Sequence, residues 1–472
     1  MRARTLLPVV ATLLAGAACT PRTAPPVSAG KRLSEVPAAA LAASPDGSRL
    51  AWLSNCSAGG GTDGGPPGCT LVAASVEGGA PVVIADGVAP AAGSFAWLGD
   101  GSLVALSRRD PATGAGNLVV WRAGTPPRSL APRATAFAGG PGGAIAFAAD
   151  GEIHAATATT EPTRLAGGTG TFELAFAPAP GQALAARVRG AGGAPVLLLW
   201  RGVAGEPVVA GRDVGSFAFS SDGAWLAVVA GVVPGTEGDL VVVPVNPAAG
   251  ARTDAVPVAR AVGPFHWASG TARLAWLEGF DARIHAGRLA SARPGEAPVV
   301  HGDRITAFEL SQDGSRLAYV RHVTEGGYSA NLELSPSTAA TPGTVSRDAA
   351  GFAFSPDGRW LYYRAGCTPA GDGCALLRVP AAGPGSVQSP ERLADGVGSF
   401  TIAPGRVDRA LLAFTRRDGS GADLAAWAGG KLVPLDGKVL PGSALLLPPE
   451  GKRAAWIGTA AERPGVLVAD LP

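Results

Sequence analysis

The chain is 472 residues long and carries 39 Lys and Arg against 37 Asp and Glu, a net charge of +2. That balance leaves no electrostatic footprint for DNA or RNA, and the length exceeds one ordinary domain but suits a repeat array. Gly (68) and Pro (41) make up about 23% of the residues, close to the composition of disordered sequence, yet many of them fall between apolar runs and read as turns.

Residues 1–18 read as an export signal. Arg2 and Arg4 supply the positive start, and the apolar run Leu6 to Ala18 is too short to span a bilayer. The run ends in Leu14-Ala15-Gly16-Ala17-Ala18-Cys19. This resembles a bacterial lipobox, with Gly16 where Leu is usual, and implies that Cys19 is diacylated and becomes the mature N-terminus. The alternative is an ordinary signal peptide cut near Ala18, with Cys19 incidental. Residues 19–30 then form the lipidated Cys and a Pro/Ser/Thr-rich tether. No other apolar run reaches the ~18 residues of a membrane helix, so the only expected membrane attachment is the N-terminal lipid. The expected location is the bacterial cell envelope, on the periplasmic side of the outer membrane.

Residues 31–472 repeat one unit, seen best in Gly351-Phe352-Ala353-Phe354-Ser355-Pro356-Asp357-Gly358-Arg359-Trp360-Leu361-Tyr362-Tyr363. Phe352 and Phe354 alternate with small residues, as in a half-buried strand. Pro356 presets φ, Asp357 caps the turn, and Gly358 takes the left-handed position. Trp360 to Tyr363 suit a second strand. Copies centre on 46, 100, 142, 180, 222, 270, 313, 357, 405 and 450, with spacings of 38 to 54 residues. Those at 142 and 180 are the weakest. Four strand-like runs fall in each period; in the eighth they are Phe352–Phe354, Trp360–Tyr363, Ala375–Val379 and Glu391–Leu393. A period near 40–50 residues with four short strands predicts an all-β protein, a β-propeller of four-stranded blades. The last repeat has only three strand-like runs, and Lys31-Arg32-Leu33-Ser34 resembles the fourth-strand runs Arg164-Leu165 and Arg392-Leu393. The N-terminal segment is therefore expected to supply the missing strand. Ten copies predict one closed ring; two smaller rings or fewer blades are the alternatives, since propellers typically have about 4–8 blades.

The turn sequences Ser44-Pro45-Asp46-Gly47-Ser48-Arg49-Leu50-Ala51, Ser311-Gln312-Asp313-Gly314-Ser315-Arg316-Leu317-Ala318 and Ser355-Pro356-Asp357-Gly358-Arg359-Trp360-Leu361 resemble WD40-like PD40 repeats. Such repeats occur in the TolB propeller and in prolyl-oligopeptidase-class propellers. The resemblance covers nearly all of the mature chain and implies fold rather than function. No α/β domain like that of TolB precedes the repeats in this sequence, and no hydrolase domain like that of the peptidases follows them.

Cys56 and Cys367 each lie ten residues after the turn Asp of their repeats, Asp46 and Asp357, and each has a Cys across one loop, Cys69 and Cys374. Equivalent positions in an exported chain predict two hairpin disulfides, Cys56–Cys69 and Cys367–Cys374. A four-cysteine zinc site needs close Cys-x2-Cys pairs, which these spacings do not supply. The five histidines are scattered, and no Gly-x-Ser-x-Gly elbow or P-loop occurs. No catalytic residue, metal ligand or cofactor is assigned. One recurrence stands out. The second strands end in Arg108-Arg109, Arg187, Arg321, Arg364 and Arg416-Arg417, in five different repeats. If the fold gathers them on one face, they could bind carboxylates, phosphates or sulfates; the bland alternative is a solvated rim paired with nearby Asp110, Glu325 and Asp418.

The function expected from these features is that of a lipid-anchored, non-enzymatic binding or scaffold platform for an envelope protein or a glycan. The rivals are a propeller hydrolase or lyase with a central-funnel site, assembled from several blades without local motifs, and a structural component of an envelope assembly.

Overall fold

The repeat unit folds as four antiparallel strands in a row because each apolar run is short and each break carries turn chemistry. The computed structural model describes residues 30–471 apart from 58–67, 92, 168–169, 179–181, 203–204, 233–237, 247–253, 323–329, 369–372, 383–388, 404–407, 416–420 and 462–463. The export signal, Cys19, Arg416 and Arg417 lie outside the described residues. Those described form 37 strands and two single 3-10 turns, Pro141–Gly143 and Ala191–Gly193, with no α-helix among them. Among the described residues no helix is long and apolar enough to cross a membrane.

In the eighth repeat the strands are Ala349–Phe354, Trp360–Ala365, Gly373–Pro380 and Glu391–Gly396, paired in that order. The first repeat matches it with Ala38–Ala43, Arg49–Ser57, Gly68–Ser75 and Val82–Val88. The weak copies at 142 and 180 also carry paired strands, Arg128–Gly139 with Ile145–Ala149 and Thr171–Phe176 with Leu184–Arg189. Three long strands, Arg128–Gly139, Val256–Trp267 and Val299–Leu310, close one repeat with their first half and open the next with their second. Such runs join the repeats into five hydrogen-bonded sheets of 8, 11, 4, 10 and 4 strands.

The final repeat has Leu445–Leu446, Arg453–Gly458 and Gly465–Asp470, and its fourth strand is Lys31–Arg32. Lys31 lies opposite Val468 and Arg32 opposite Leu467; the N–H of Leu33 then donates to the Val466 carbonyl at 2.8 Å. This pairing covers the edge that Gly465–Asp470 would otherwise expose.

The core is distributed between repeats. Among the described residues, ten apolar clusters each join two repeats that follow one another in the chain or, in one case, the last and the first. One second-strand position shows the direction of packing. Phe147, Trp276, Tyr319, Tyr363 and Trp456 occupy it in five repeats, all buried, and each packs onto the repeat before its own. Trp52 holds this position in the first repeat. It packs on Leu447, Ala455, Val466 and Val468 of the last. Arg453 reinforces that contact by pairing with Glu77 at 2.5 Å and Asp470 at 2.7 Å.

Candidate functional site

Comparison of the repeats column by column isolates a site. The N–H that closes each turn belongs to Ser355 in the eighth repeat and donates to the Trp360 carbonyl at 2.8 Å. Two residues before it, at the centre of the first strand, stand Ala42, Ala96, Ala138, Ala175, Ala218, His266, Glu309, Ala353, Thr401 and Leu445. A small residue suits a place where the strands of neighbouring repeats crowd together. His266 and Glu309 are the titratable residues of the column, in two adjacent repeats.

Glu309 faces an open cavity of about 730 Å³. The first strands of three successive repeats line it: Glu309 from one, Phe352 and Phe354 from the next, Phe400 and Thr401 from the third. Among the described residues the Glu309 carboxylate has one hydrogen-bonding partner, the Phe354 N–H at 3.5 Å, which is a long contact. Desolvation dominates that weak bond and pushes its pKa up to about 7. His266 lies one repeat away, its ring centroid 5.3 Å from that of Phe308. Desolvation by its apolar surroundings lowers its pKa, so the ring is neutral at pH 7.

Arg364 is the cation of this cavity. It reaches back from the second strand of the eighth repeat and donates to the carbonyls of Gly398 and, at 3.2 Å, Ala350. A Cβ on Gly351 would sit 3.5 Å from the guanidinium. Arg364 and Glu309 line one cavity without pairing: neither takes part in an ion pair among the described residues. Desolvation lowers the Arg364 pKa but leaves it charged at any ordinary pH.

The other described arginines of the expected face make contacts of their own. Arg187 donates to the carbonyls of Val214 and Gly215 and pairs with Glu173 at 3.1 Å. Gly215 and Gly398 both lie at the entry to the following repeat, so Arg187 and Arg364 each tie the end of a second strand to the next unit. Arg321 pairs with Glu333 at 3.0 Å within its own repeat. Arg108 and Arg109 are exposed; Arg108 adopts φ 51° beside Gly87, and the Arg109 Nε donates to the Gly114 carbonyl at 2.9 Å. Arg364 is the member of the set that lines the cavity.

Both predicted disulfides are present. Cys56–Cys69 and Cys367–Cys374 link the second and third strands of the first and eighth repeats. Among the described residues no group of three His, Cys, Asp or Glu is placed to hold a metal ion.

One buried pair has the elements of a nucleophile and base but the wrong polarity. Ser291 Oγ lies 3.0 Å from His301 Nε2 and donates its own proton to the Ser337 carbonyl at 2.8 Å. Nε2 must then be the donor to Ser291, leaving Nδ1 as the acceptor, which has no partner. The imidazole therefore cannot take the Ser291 proton. Burial and the nearby Arg273 hold the His301 pKa at about 4, and both residues are shut off from solvent. This cluster packs two repeats together.

No protein-family model and no characterised protein matches the sequence. Similar solved structures include a eukaryotic initiation factor, 14% identical over 85% of this chain and 88% of that one, with a TM-score of 0.45. A prolyl endopeptidase is 14% identical over 64% of this chain and 50% of that one, with a TM-score of 0.38. The putative TolB of Agrobacterium tumefaciens is 14% identical over 57% of this chain and 94% of that one, with a TM-score of 0.29.

Proposed function

We propose that the chain is a ten-bladed β-propeller closed into one ring, tethered to the bacterial envelope through a lipid on Cys19, and that it acts as a binding platform. The ring reading is supported by the ten inter-repeat clusters. An open row of ten units has one fewer junction than units; the tenth cluster, with Trp52 on the last repeat, makes the numbers equal. The first strands then face a central channel, a reading supported by the three of them that meet on one cavity.

The observation that carries the binding role is that cavity. It is open, lined by aromatic residues, and holds a carboxylate at a position where most repeats carry Ala, beside a guanidinium, the two not paired with each other or with another charge among the described residues. Pockets that combine apolar walls with a few convergent polar groups are the usual form of a ligand site. The occupant is an envelope protein segment or a glycan, and no bond-breaking group is assigned to the protein.

The test is photo-crosslinking in the intact envelope, with a benzophenone side chain at Thr401 and, as a control, at the exposed Ile284 beside a different cavity. A discrete adduct from Thr401 alone is expected. Equal labelling from both positions, or none from Thr401, overturns the assignment of the cavity as the recognition site. Labelled fatty acid should enter the wild-type protein and be absent from Cys19→Ala; equal incorporation in both removes the anchor from the proposal.

A further inference from the structure

The two charged groups of the cavity stand at opposite ends of one strand. Glu309 touches the backbone at Phe354. The Arg364 guanidinium sits against Ala350 and Gly351. Gly351 to Phe354 is three residues of extended chain, about 10 Å at 3.3 Å per residue. Phe352 and Ala353 form the floor between the two ends, and Phe400 and Thr401 form the adjoining wall.

We infer that this cavity takes a short zwitterionic peptide of two or three residues, its amino group on Glu309 and its carboxylate on Arg364. This rests on the reading of the cavity as the recognition site and adds the chemistry of its occupant. Three features of the site match that class. The charges are opposite and held apart, so a ligand with one charge of each sign satisfies both; a ligand with a single charge leaves the other group without a counter-ion. The separation fits the ~3.3–3.6 Å per residue of an extended peptide, with a hydrogen bond at either end. The strand between, Phe352-Ala353-Phe354, is apolar and places no competing charge beside the small side chains of such a ligand.

The charges are also prepared for this use. Arg364 is fixed by two backbone carbonyls, which leaves further N–H groups of its fork free for a carboxylate. Glu309 is desolvated and lacks a cation; an incoming ammonium supplies one and brings the carboxyl back to its ionised form.

The experiment is calorimetric titration of the mature, detergent-solubilised chain at pH 7.5 with Ala-Ala-Ala, its N-acetyl form, its C-amide and maltotriose. The free tripeptide is expected to bind, and capping either end should weaken it tenfold or more. Glu309→Gln should weaken the free tripeptide tenfold or more but leave the N-acetyl form unchanged, because only the ammonium reads that carboxylate. Arg364→Lys should weaken the free tripeptide more than the C-amide. Arg288→Gln, in a different cavity, should change neither. Thermal melting of each variant establishes that it is folded. Equal affinity for free and capped peptides, or no peptide binding, overturns the inference. In either case a Thr401 crosslink or maltotriose binding leaves the platform reading standing; loss of all three removes both.

Discussion

Glu309 is the residue at which this fold works against its own stability. Its carboxyl has a pKa of about 7 in the folded chain and 4.5 as its ordinary value. Between those limits the folded state keeps a proton that the unfolded state has lost. The stability from this group is therefore fully present below about pH 4.5 and is lost as pH rises through about 7. At pH 8 the penalty is on the order of 3 kcal/mol, at 1.36 kcal/mol per pKa unit. Glu309→Gln should raise the melting temperature at pH 8, change it little at pH 4, and flatten the profile between. An unchanged slope in the variant would place the titration elsewhere. Ser355 is a second residue whose role is local. The turn sequence assigns roles to Pro356, Asp357 and Gly358, but Ser355 holds them together: its hydroxyl donates to Asp357 at 2.6 Å and accepts from the Trp360 N–H at 2.9 Å. Ser44, Ser220 and Ser311 make the same pair of bonds with their Asp and with Arg49, Trp225 and Arg316. Ser355→Ala, at a buried position, should cost about 1–3 kcal/mol by leaving these groups unpaired, read as a shift of the urea midpoint.

At the scale of the element, the four-stranded row was legible because its signals are local. Alternating Phe352 and Phe354, the Ser-Pro-Asp-Gly turn and the run Trp360 to Tyr363 all lie within reach of their neighbours in sequence. The weak copy at 142 forms the same hairpin without the Asp, since Gly142 and Gly143 take the positive φ the bend requires. The disulfides were legible for the same reason: both closures span one loop, with separations of 13 and 7 residues. Replacing Cys56 and Cys69 together with Ser should cost about 2–3 kcal/mol on the chain-entropy account. The loss should disappear when wild type and variant are compared under reducing conditions; a difference that persists there would mean the serines disrupt packing instead.

At the scale of the whole molecule, closure should govern stability. Trp52 and Trp276 occupy equivalent positions, one on the first-to-last junction and one inside the array. If the ring is closed, Trp52→Ala and Trp276→Ala should each cost about 3–5 kcal/mol, as truncation of a buried aromatic does. An open array predicts a much smaller loss for Trp52, which would then sit on a terminal face. Deleting residues 30–33 removes the strand paired to Gly465–Asp470 and part of the Trp52 contact. It should lower the melting temperature and expose an edge prone to self-association, read by light scattering.

The sequence by itself determined the strands, their turns, the order in which they pair within a repeat, and the two cysteine pairs. Each depends on residues within a few positions or one loop of one another. Only the tertiary structure decided what each of the recurring arginines touches. Arg108, Arg187, Arg321 and Arg364 sit at similar offsets, but carbonyls, carboxylates and a positive φ outside their own strands set where each one ends. Glu309 was visible in sequence only as the acidic member of a column made mostly of Ala. Its lack of a counter-ion, its cavity and its distance from Arg364 arise from three repeats meeting, and no local pattern records that meeting.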